Sequence, residues 1–203
     1  MQPLNVLIAA DDKHDRQILR THVERLGHLV VAEVRKEAGI VAAAASTRLD
    51  AAILEVKLPV MDGIRVAQEI MNRFPCAILF VSDDCSIELA KQAAESGGMA
   101  YLTKPIRGIE IGPALAVAIC RFRELVGQQK EIAMLKEALE TRKLIGRAKG
   151  ILMTRYNLSE EEAFRKIHFL SRNQHRKIQE VAKDIIDGIE FVFQEDSPYA
   201  PPL

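Results

Sequence analysis

The sequence has no tryptophan, three cysteines, 5% aromatic residues and no net charge across its 203 residues. Each scarcity excludes something. With Lys+Arg 28 against Asp+Glu 28, the field of the whole chain selects neither nucleic acid nor a membrane surface as partner. Cys76, Cys85 and Cys120 show no CxxC spacing and leave an odd thiol over, against both a disulfide framework and a zinc site. Small, reduced, mostly buried thiols are expected instead. No apolar run approaches the ~18 residues that span a bilayer, and the opening MQPLNVLIAADD meets acid too early for a secretory signal. These features point to the cytoplasm and to no membrane partner. What is present, 48% hydrophobic and 28% charged residues, is the composition of a soluble globular protein. The length allows about one or two domains.

Residues 1–106 alternate short apolar runs with amphipathic stretches. The runs Leu4 to Ala9, Leu29 to Val34, Ala51 to Val56, Ala77 to Val81 and Met99 to Leu102 have strand length, and several are apolar on both faces, as a buried parallel sheet requires. Asp15 to Leu26, Glu37 to Ala45, Gly63 to Arg73 and Ile87 to Ser96 carry apolar residues three or four apart, the helical period. The alternation predicts an α/β domain with a doubly wound, five-stranded parallel sheet.

From about Arg107 the pattern becomes one long helix. Ala118, Leu125, Ile132 and Leu139 repeat every seven residues and Leu135 adds a second seam position, although Gln128 and Arg142 interrupt that row. Residues 107–140 therefore read as a coiled-coil linker that dimerises, or as an amphipathic helix packed on its own domain. The helix is expected to reach about Tyr156 and stop at Asn157. Ser159-Glu160-Glu161-Glu162 fits a capping box that opens a second helix to about Ser171. Arg172-Asn173-Gln174 turns the chain into a last helix near His175 to Phe191, so 141–190 forms an all-α three-helix bundle. Residues 191–203, ending DSPYAPPL, read as a flexible tail. Charge divides along the same boundary: residues 1–106 hold 12 basic and 14 acidic side chains, and 107–188 hold 16 and 11. The neutral total conceals a basic C-terminal domain.

Ligands of open α/β sheets bind at the carboxyl ends of the strands. Asp11 and Asp12 follow the first strand, Ser82 ends the fourth, and Lys104-Pro105 follows the fifth. Two adjacent carboxylates suit a hard cation such as Mg²⁺, a lysine counters an acyl phosphate, and a hydroxyl can hold a phosphoryl oxygen. These pieces fit phosphoryl transfer. With the run Leu58-Pro59-Val60-Met61-Asp62-Gly63 and Tyr101, three residues before Lys104, they make residues 1–106 resemble the receiver domain of two-component response regulators. The resemblance implies that Tyr101 is the switch aromatic and that Mg²⁺ would sit, weakly, on Asp11, Asp12 and Glu55.

One position departs from that pattern. The family's phosphoacceptor aspartate stands four residues before the proline, and here that residue is Glu55. The extra methylene moves an attacking oxygen by about 1 Å, and in-line transfer depends on positioning for most of its rate. The favoured reading is a receiver that does not turn over phosphate and keeps a fixed negative charge near Lys104. Slow formation of a glutamyl phosphate, an ion-paired relic, and imitation of the phosphorylated state are the other readings. A single carboxylate lacks the charge and the third oxygen of a phosphoryl group, which weighs against imitation.

Thr141 to Met153 mixes a basic face with an apolar one. Arg142 and Lys149, with Lys143 and Arg147 obliquely, fall toward one side; Ile145, Leu152 and Met153 belong to a core. Arg172, Arg176 and Lys177 add charge around the last turn, and one patch would suit phosphate backbones. Ala163, Phe164, Ile167, Val181, Ala182 and Ile185 read as core, leaving Tyr156 and His175 as the aromatics for base stacking. Gly150 inside a helix costs about 1 kcal/mol relative to alanine, which close packing or close approach of RNA would explain. The runs Arg147-Ala148-Lys149-Gly150-Ile151-Leu152-Met153, Ser159-Glu160-Glu161-Glu162-Ala163-Phe164, Ser171 and Ile178-Gln179-Glu180-Val181-Ala182 make about Leu125 to Asp187 resemble the ANTAR module of bacterial antitermination regulators.

That resemblance implies a non-enzymatic, dimeric regulator that grips hairpins of a nascent transcript through Arg142, Arg147, Lys149, Arg172, Arg176 and Lys177. It requires no cofactor, with Mg²⁺ at the acidic site an optional one. Because Glu55 replaces the acceptor, control would not come from a histidine kinase. Some relatives with degenerate receivers are held inactive by a ligand-sensing protein, which offers another route. The rival is a phosphorylation-dependent response regulator whose receiver dimerises on phosphate transfer. A DNA-binding output would need a recognition helix, whereas these basic residues are spread over a long helix and a turn. A pure protein-interaction module would show no salt-dependent affinity for nucleic acid.

Overall fold

The computed structural model describes residues 2–35, 37–58 and 61–188. Pro59 and Val60 of the Leu58–Gly63 run, and the proposed tail at 191–203, lie outside the described residues. The chain divides into two compact units, Met1–Gly127 and Gln128–Leu203.

In the first unit, β1 (Asn5–Ala9), β2 (Leu29–Val34), β3 (Ala51–Glu55), β6 (Ala77–Ser82) and β7 (Gly98–Thr103) form one five-stranded sheet in the order β2-β1-β3-β6-β7. All four pairings are parallel. Between β3 and β6 lie two strands that the sequence pattern did not show, β4 (Lys57–Leu58) and β5 (Met61–Asp62), paired as an antiparallel ribbon. Two-residue strands are too short to display a period of two. The helices are α1 (Lys13–Arg25), α2 (Glu37–Ser46), α3 (Gly63–Arg73), α4 (Ile87–Glu95) and the first part of α5 (Gly108–Tyr156).

Strand alternation sorts the core into two layers. Val6, Ile8, Ile53 and Leu79 face Leu19 and Val23 of α1 and Ile111 and Leu115 of α5. Leu7, Leu54, Ile78 and Phe80 face Ile40 of α2, Val66 and Ile70 of α3 and Ala93 of α4. A sheet covered on both faces explains why its central strands carry no polar alternation. Asp12, Asp62 and Ser86 cap α1, α3 and α4 with side-chain oxygens. Gly63 has no room for a side chain: a Cβ there would lie 2.2 Å from the Glu55 carbonyl oxygen. The expectation of mostly buried thiols needs correcting. Cys76 is buried, but Cys85 and Cys120 are exposed, because each lies at or on a helix surface outside the layers.

Helix α5 divides the heptad stretch between the two readings. Ala118 is fully buried and Leu125 packs on the first core, whereas Ile132, Leu135 and Leu139 are 52%, 63% and 54% exposed. The early positions serve the domain's own core and the later ones cover nothing within the described residues.

In the second unit, the end of α5 meets α6 (Glu160–Asn173) and α7 (Ile178–Ile186). Asn157 ends α5 in the left-handed region, with φ 52°, and Ser159 with Glu162 forms the reciprocal capping box. Such a cap contributes about 1 kcal/mol. The core joins Ala148 and Leu152 to Ala163, Ile167, Val181, Ala182 and Ile185. The last helix begins at Ile178 rather than near His175, because His175 adopts φ 51° and Lys177 takes the N-cap position. The Ser171 hydroxyl donates to the Arg176 carbonyl at 2.7 Å and holds this turn. Phe164 departs from the expected core: its side of α6 faces outward and it is 42% exposed.

Candidate functional site

The carboxyl ends of β1, β3, β6 and β7 gather the acidic set in the first unit. Glu55, the last residue of β3, is 9% exposed and both of its oxygens are engaged. Oε1 accepts from the Lys104 ammonium, and Oε2 accepts from the Asp11 backbone N–H at 2.7 Å. Lys104 also lies 2.8 Å from Asp15 Oδ2, a carboxylate on the first turn of α1 that the sequence reading did not single out. Burial pushes the Lys104 ammonium down, but hydrogen bonds and charges from Asp15 and Glu55 outweigh it and raise the pKa above the usual lysine value.

The adjacent carboxylates face different partners. Asp11 Oδ1 accepts from Arg35, at 2.6 Å from Nη2 and 3.2 Å from Nε. Asp12 Oδ1 accepts the backbone N–H groups of Asp15 and His14, which hold its carboxyl below the usual range. Arg16 Nη1 donates to the carbonyls of Ala10 and Asp11 at 2.6 Å each. Asp11, Asp12 and Glu55 thus turn to protein cations and amides, and no group of three His, Cys, Asp or Glu among the described residues is placed to hold a metal. As arranged, this donor set does not fit a divalent cation.

Ser82 and Tyr101 converge on a different residue. The Ser82 hydroxyl accepts from the Asp84 N–H at 3.1 Å, and the Tyr101 hydroxyl donates to the Asp84 carbonyl at 2.7 Å. Lys57 Nζ lies 3.1 Å from Asp84 Oδ2. The Ser86 backbone and side-chain groups, followed by Lys57, hold the Asp84 carboxyl down at about 2. Asp84 is therefore the hub of the β6–α4 loop. Its sequence signal was Asp84-Cys85-Ser86, an Asx turn leading into a serine N-cap.

The basic residues of the second unit occupy separate surfaces. Arg142 and Lys149 line a groove of about 740 Å³ with Met134, Ala138, Ile145 and Phe164. Arg147 lines another depression with Gly150, Ile151, Thr154 and Arg155. Helical geometry explains the division, since two residues along the helix is a rotation of about 200°. Lys143 pairs with Glu140 at 2.8 Å. Arg172 and Lys177 are exposed at the turn, while Arg176 is held by Asp184 at 2.6 Å and by Glu180. Tyr156 packs on the bundle core, with the Lys166 ammonium 5.6 Å and the Arg155 guanidinium 5.8 Å from its ring centre. Lys166 itself is buried, which pushes its ammonium below the usual lysine value.

A doubly wound sheet with acids, a hydroxyl and a lysine at its carboxyl edge defines a signal receiver, and residues 6–116 match the response regulator receiver domain family. Residues 133–186 match the ANTAR domain. The chain belongs to the response regulators that join these two domains. It is 34% identical over 187 residues to the transcriptional regulatory protein PdtaR of Mycobacterium tuberculosis, across 92% of this chain and 91% of that protein. The signal receiver domain of a modulated diguanylate cyclase from Desulfovibrio desulfuricans G20 shares the fold, with TM-score 0.55 and 24% identity over 60% of this chain and 98% of that one. The receiver domain of the response regulator NarL from M. tuberculosis does so with TM-score 0.55 and 23% identity, over 59% and 98%. No helix among the described residues is long and apolar enough to cross a membrane.

Proposed function

We propose that this chain is an RNA-binding regulator that promotes transcription past a terminator, and that its receiver works without phosphoryl transfer. The carrying observation is the ANTAR match over 133–186 together with exposed cations within it: Arg142, Arg147, Arg172 and Lys177 stand on the surface of the second unit. These four can meet phosphates directly. Lys149 joins them by exchanging Glu160 for a phosphate, and Arg176, clasped by Asp184, orders the turn that carries its neighbours. The division of labour follows the sequence: residues 1–106 receive, 107–140 transmit through a helical coil, and 141–190 bind.

The receiver reading rests on Glu55. A phosphoacceptor must present a free oxygen to the incoming phosphorus. Here Lys104 and the Asp11 amide each hold one Glu55 oxygen, and the methylene that glutamate adds displaces both from where an aspartate would present them for in-line attack. Control then comes from something other than a kinase, such as a ligand-sensing protein partner. The half-exposed Ile132, Leu135 and Leu139 support dimerisation through α5 with a second copy.

Hairpin RNA and duplex DNA, titrated against the full chain at increasing salt, test the output. RNA preference with a steep salt dependence is expected, and the double variant Arg147→Ala, Lys149→Ala lowers the slope. Equal affinity for both, or none for either, overturns the reading. Incubation with a small phosphodonor and Mg²⁺ followed by mass measurement tests the input: the expected result is no labile phosphoryl adduct. An adduct that depends on Glu55 would make the protein a phosphorylation-dependent regulator. Light scattering of Leu135→Asp tests the coil, with loss of the dimer expected.

A further inference from the structure

The groove between α5 and α6 contains an aromatic ring that the bundle does not use. Phe164 is 42% exposed, although Ala163 and Ile167 on the same helix are fully buried. His168 fixes the ring edge-on, with centroids 4.5 Å apart and an interplanar angle of 68°. The Lys149 ammonium lies 5.9 Å from the ring centre and 2.5 Å from Glu160, whose side chain is 72% exposed. Arg142 stands on the same wall, with Glu137 the one acid lining the groove among the described residues. Gly146, also in that wall, would meet nothing within 4 Å if it carried a Cβ. A glycine in mid-helix is unfavourable relative to alanine, and at Gly146, as at Gly127 and Gly150 on the same helix, no packing among the described residues accounts for it.

We propose that this groove takes one unpaired base of the bound RNA, stacked against Phe164, with the flanking phosphates on Arg142 and Lys149. The inference rests on the RNA-binding reading above and adds the residue that engages a base. A flat apolar ring, a nearby ammonium, a second cation and an open glycine wall match the three parts of a nucleotide: base face, phosphate and sugar edge. The phosphate replaces the exposed Glu160 on Lys149, a like-for-like exchange of anions. Two cations on its walls, Arg142 and Lys149, make the groove a poor seat for the apolar face of a second copy. Tyr156 is less suited to stacking, because its ring packs on the bundle core.

The test uses the full chain and a hairpin RNA selected from a pool with a randomised loop. Loop nucleotides are replaced one at a time by an abasic residue, and affinity is measured for wild type, Phe164→Leu, Phe164→Ala and Phe164→Tyr. Phe164→Leu and Phe164→Ala are expected to lose about tenfold or more, Phe164→Tyr to retain affinity, and one abasic position to cost the wild type but not Phe164→Ala. 2-Aminopurine at that position is quenched by wild type and not by Phe164→Leu. Circular dichroism checks the fold; because Leu preserves an apolar side chain, the contrast between Leu and Tyr reads the ring itself. Unchanged affinity in Phe164→Leu, or the same abasic cost in both backgrounds, overturns the proposal. A change of oligomeric state in Phe164→Ala also overturns it, in favour of a second copy in the groove. If Arg142→Ala and Lys149→Ala lose binding while Phe164→Leu does not, stacking alone fails. If none of the variants differs from a wild type that does not bind RNA, the RNA reading fails with it.

Discussion

Lys104 Nζ lies 2.8 Å from Asp15 Oδ2 and at the same time donates to Glu55, so one ammonium joins the end of β3 to the first turn of α1. Side-chain exposures of 19%, 16% and 11% keep water from substituting for it. Removing the lysine leaves two carboxylates facing each other across the crevice. Lys104→Met is expected to destabilise the first unit by about 1–3 kcal/mol, the cost of an unsatisfied buried polar group. Because the pKa of Lys104 is raised, its contribution is complete below the ordinary lysine value and is lost as pH rises through the higher folded value. Thermal unfolding from pH 8 upward should bring wild type and Lys104→Met together only in the far alkaline range.

Arg35 acts on the other side of the same crevice. Its guanidinium lies on Asp11 where an added cation would compete, and exposed ion pairs of this kind contribute about 0.2–1 kcal/mol. Millimolar Mg²⁺ should shift the melting temperature of the wild type little. Arg35→Ala should bind Mg²⁺ more tightly by roughly 1.4- to fivefold, the same energy expressed as a ratio. Titration calorimetry with both proteins measures it, and equal affinities would show that Arg35 does not hold the site closed.

The depressed carboxyl of Asp84 sets an acid limit. Its folded pKa of about 2 lies below the ordinary aspartate value of 3.8. Its stabilisation is therefore present above the unfolded value and fades as pH falls from about 4 through about 2. Asp84→Asn should remove that part of the acid transition of the first unit. A Tyr101→Phe change should leave it in place, because the tyrosine hydroxyl meets the Asp84 main chain and not its carboxylate.

The thiols should separate by burial. Burial, and then the charge of Asp50, push the Cys76 thiol up to about 12, while Cys85 and Cys120 are exposed. Alkylation of the native protein near pH 8, read by peptide mass, should modify Cys85 and Cys120 and spare Cys76 until the chain is unfolded.

Much of the acidic site was legible because strand ends obey one rule: Asp11, Asp12, Glu55, Ser82 and Lys104 all lie at or just beyond the carboxyl ends of parallel strands. The same rule reaches Arg35, which follows β2 beside β1, yet an arginine after a strand carries no local mark. Asp15 had a weaker signal, three residues beyond the Asp12 cap. In the second unit, the capping box and six of the seven core residues were legible from spacing; Ala148 was not singled out, and Met153 and Phe164, read as core, are exposed. The position of Phe164 on α6 fits an apolar stripe, but only the packing of α5 and α7 decides how wide that stripe must be.

The sequence alone determined the alternation of strands and helices, the cap of α6, the long α5 and the basic character of its second half. Those properties depend on residues within about one helical turn or one strand of each other, where period and turn chemistry operate. Tertiary structure alone decided that each Glu55 oxygen is hydrogen bonded, that Ser82 and Tyr101 meet at Asp84, and that Arg142 and Arg147 face different hollows. Those outcomes depend on which charges share a crevice after the chain has closed. An ammonium chooses its carboxylate by distance in space, and no spacing along the chain encodes that distance.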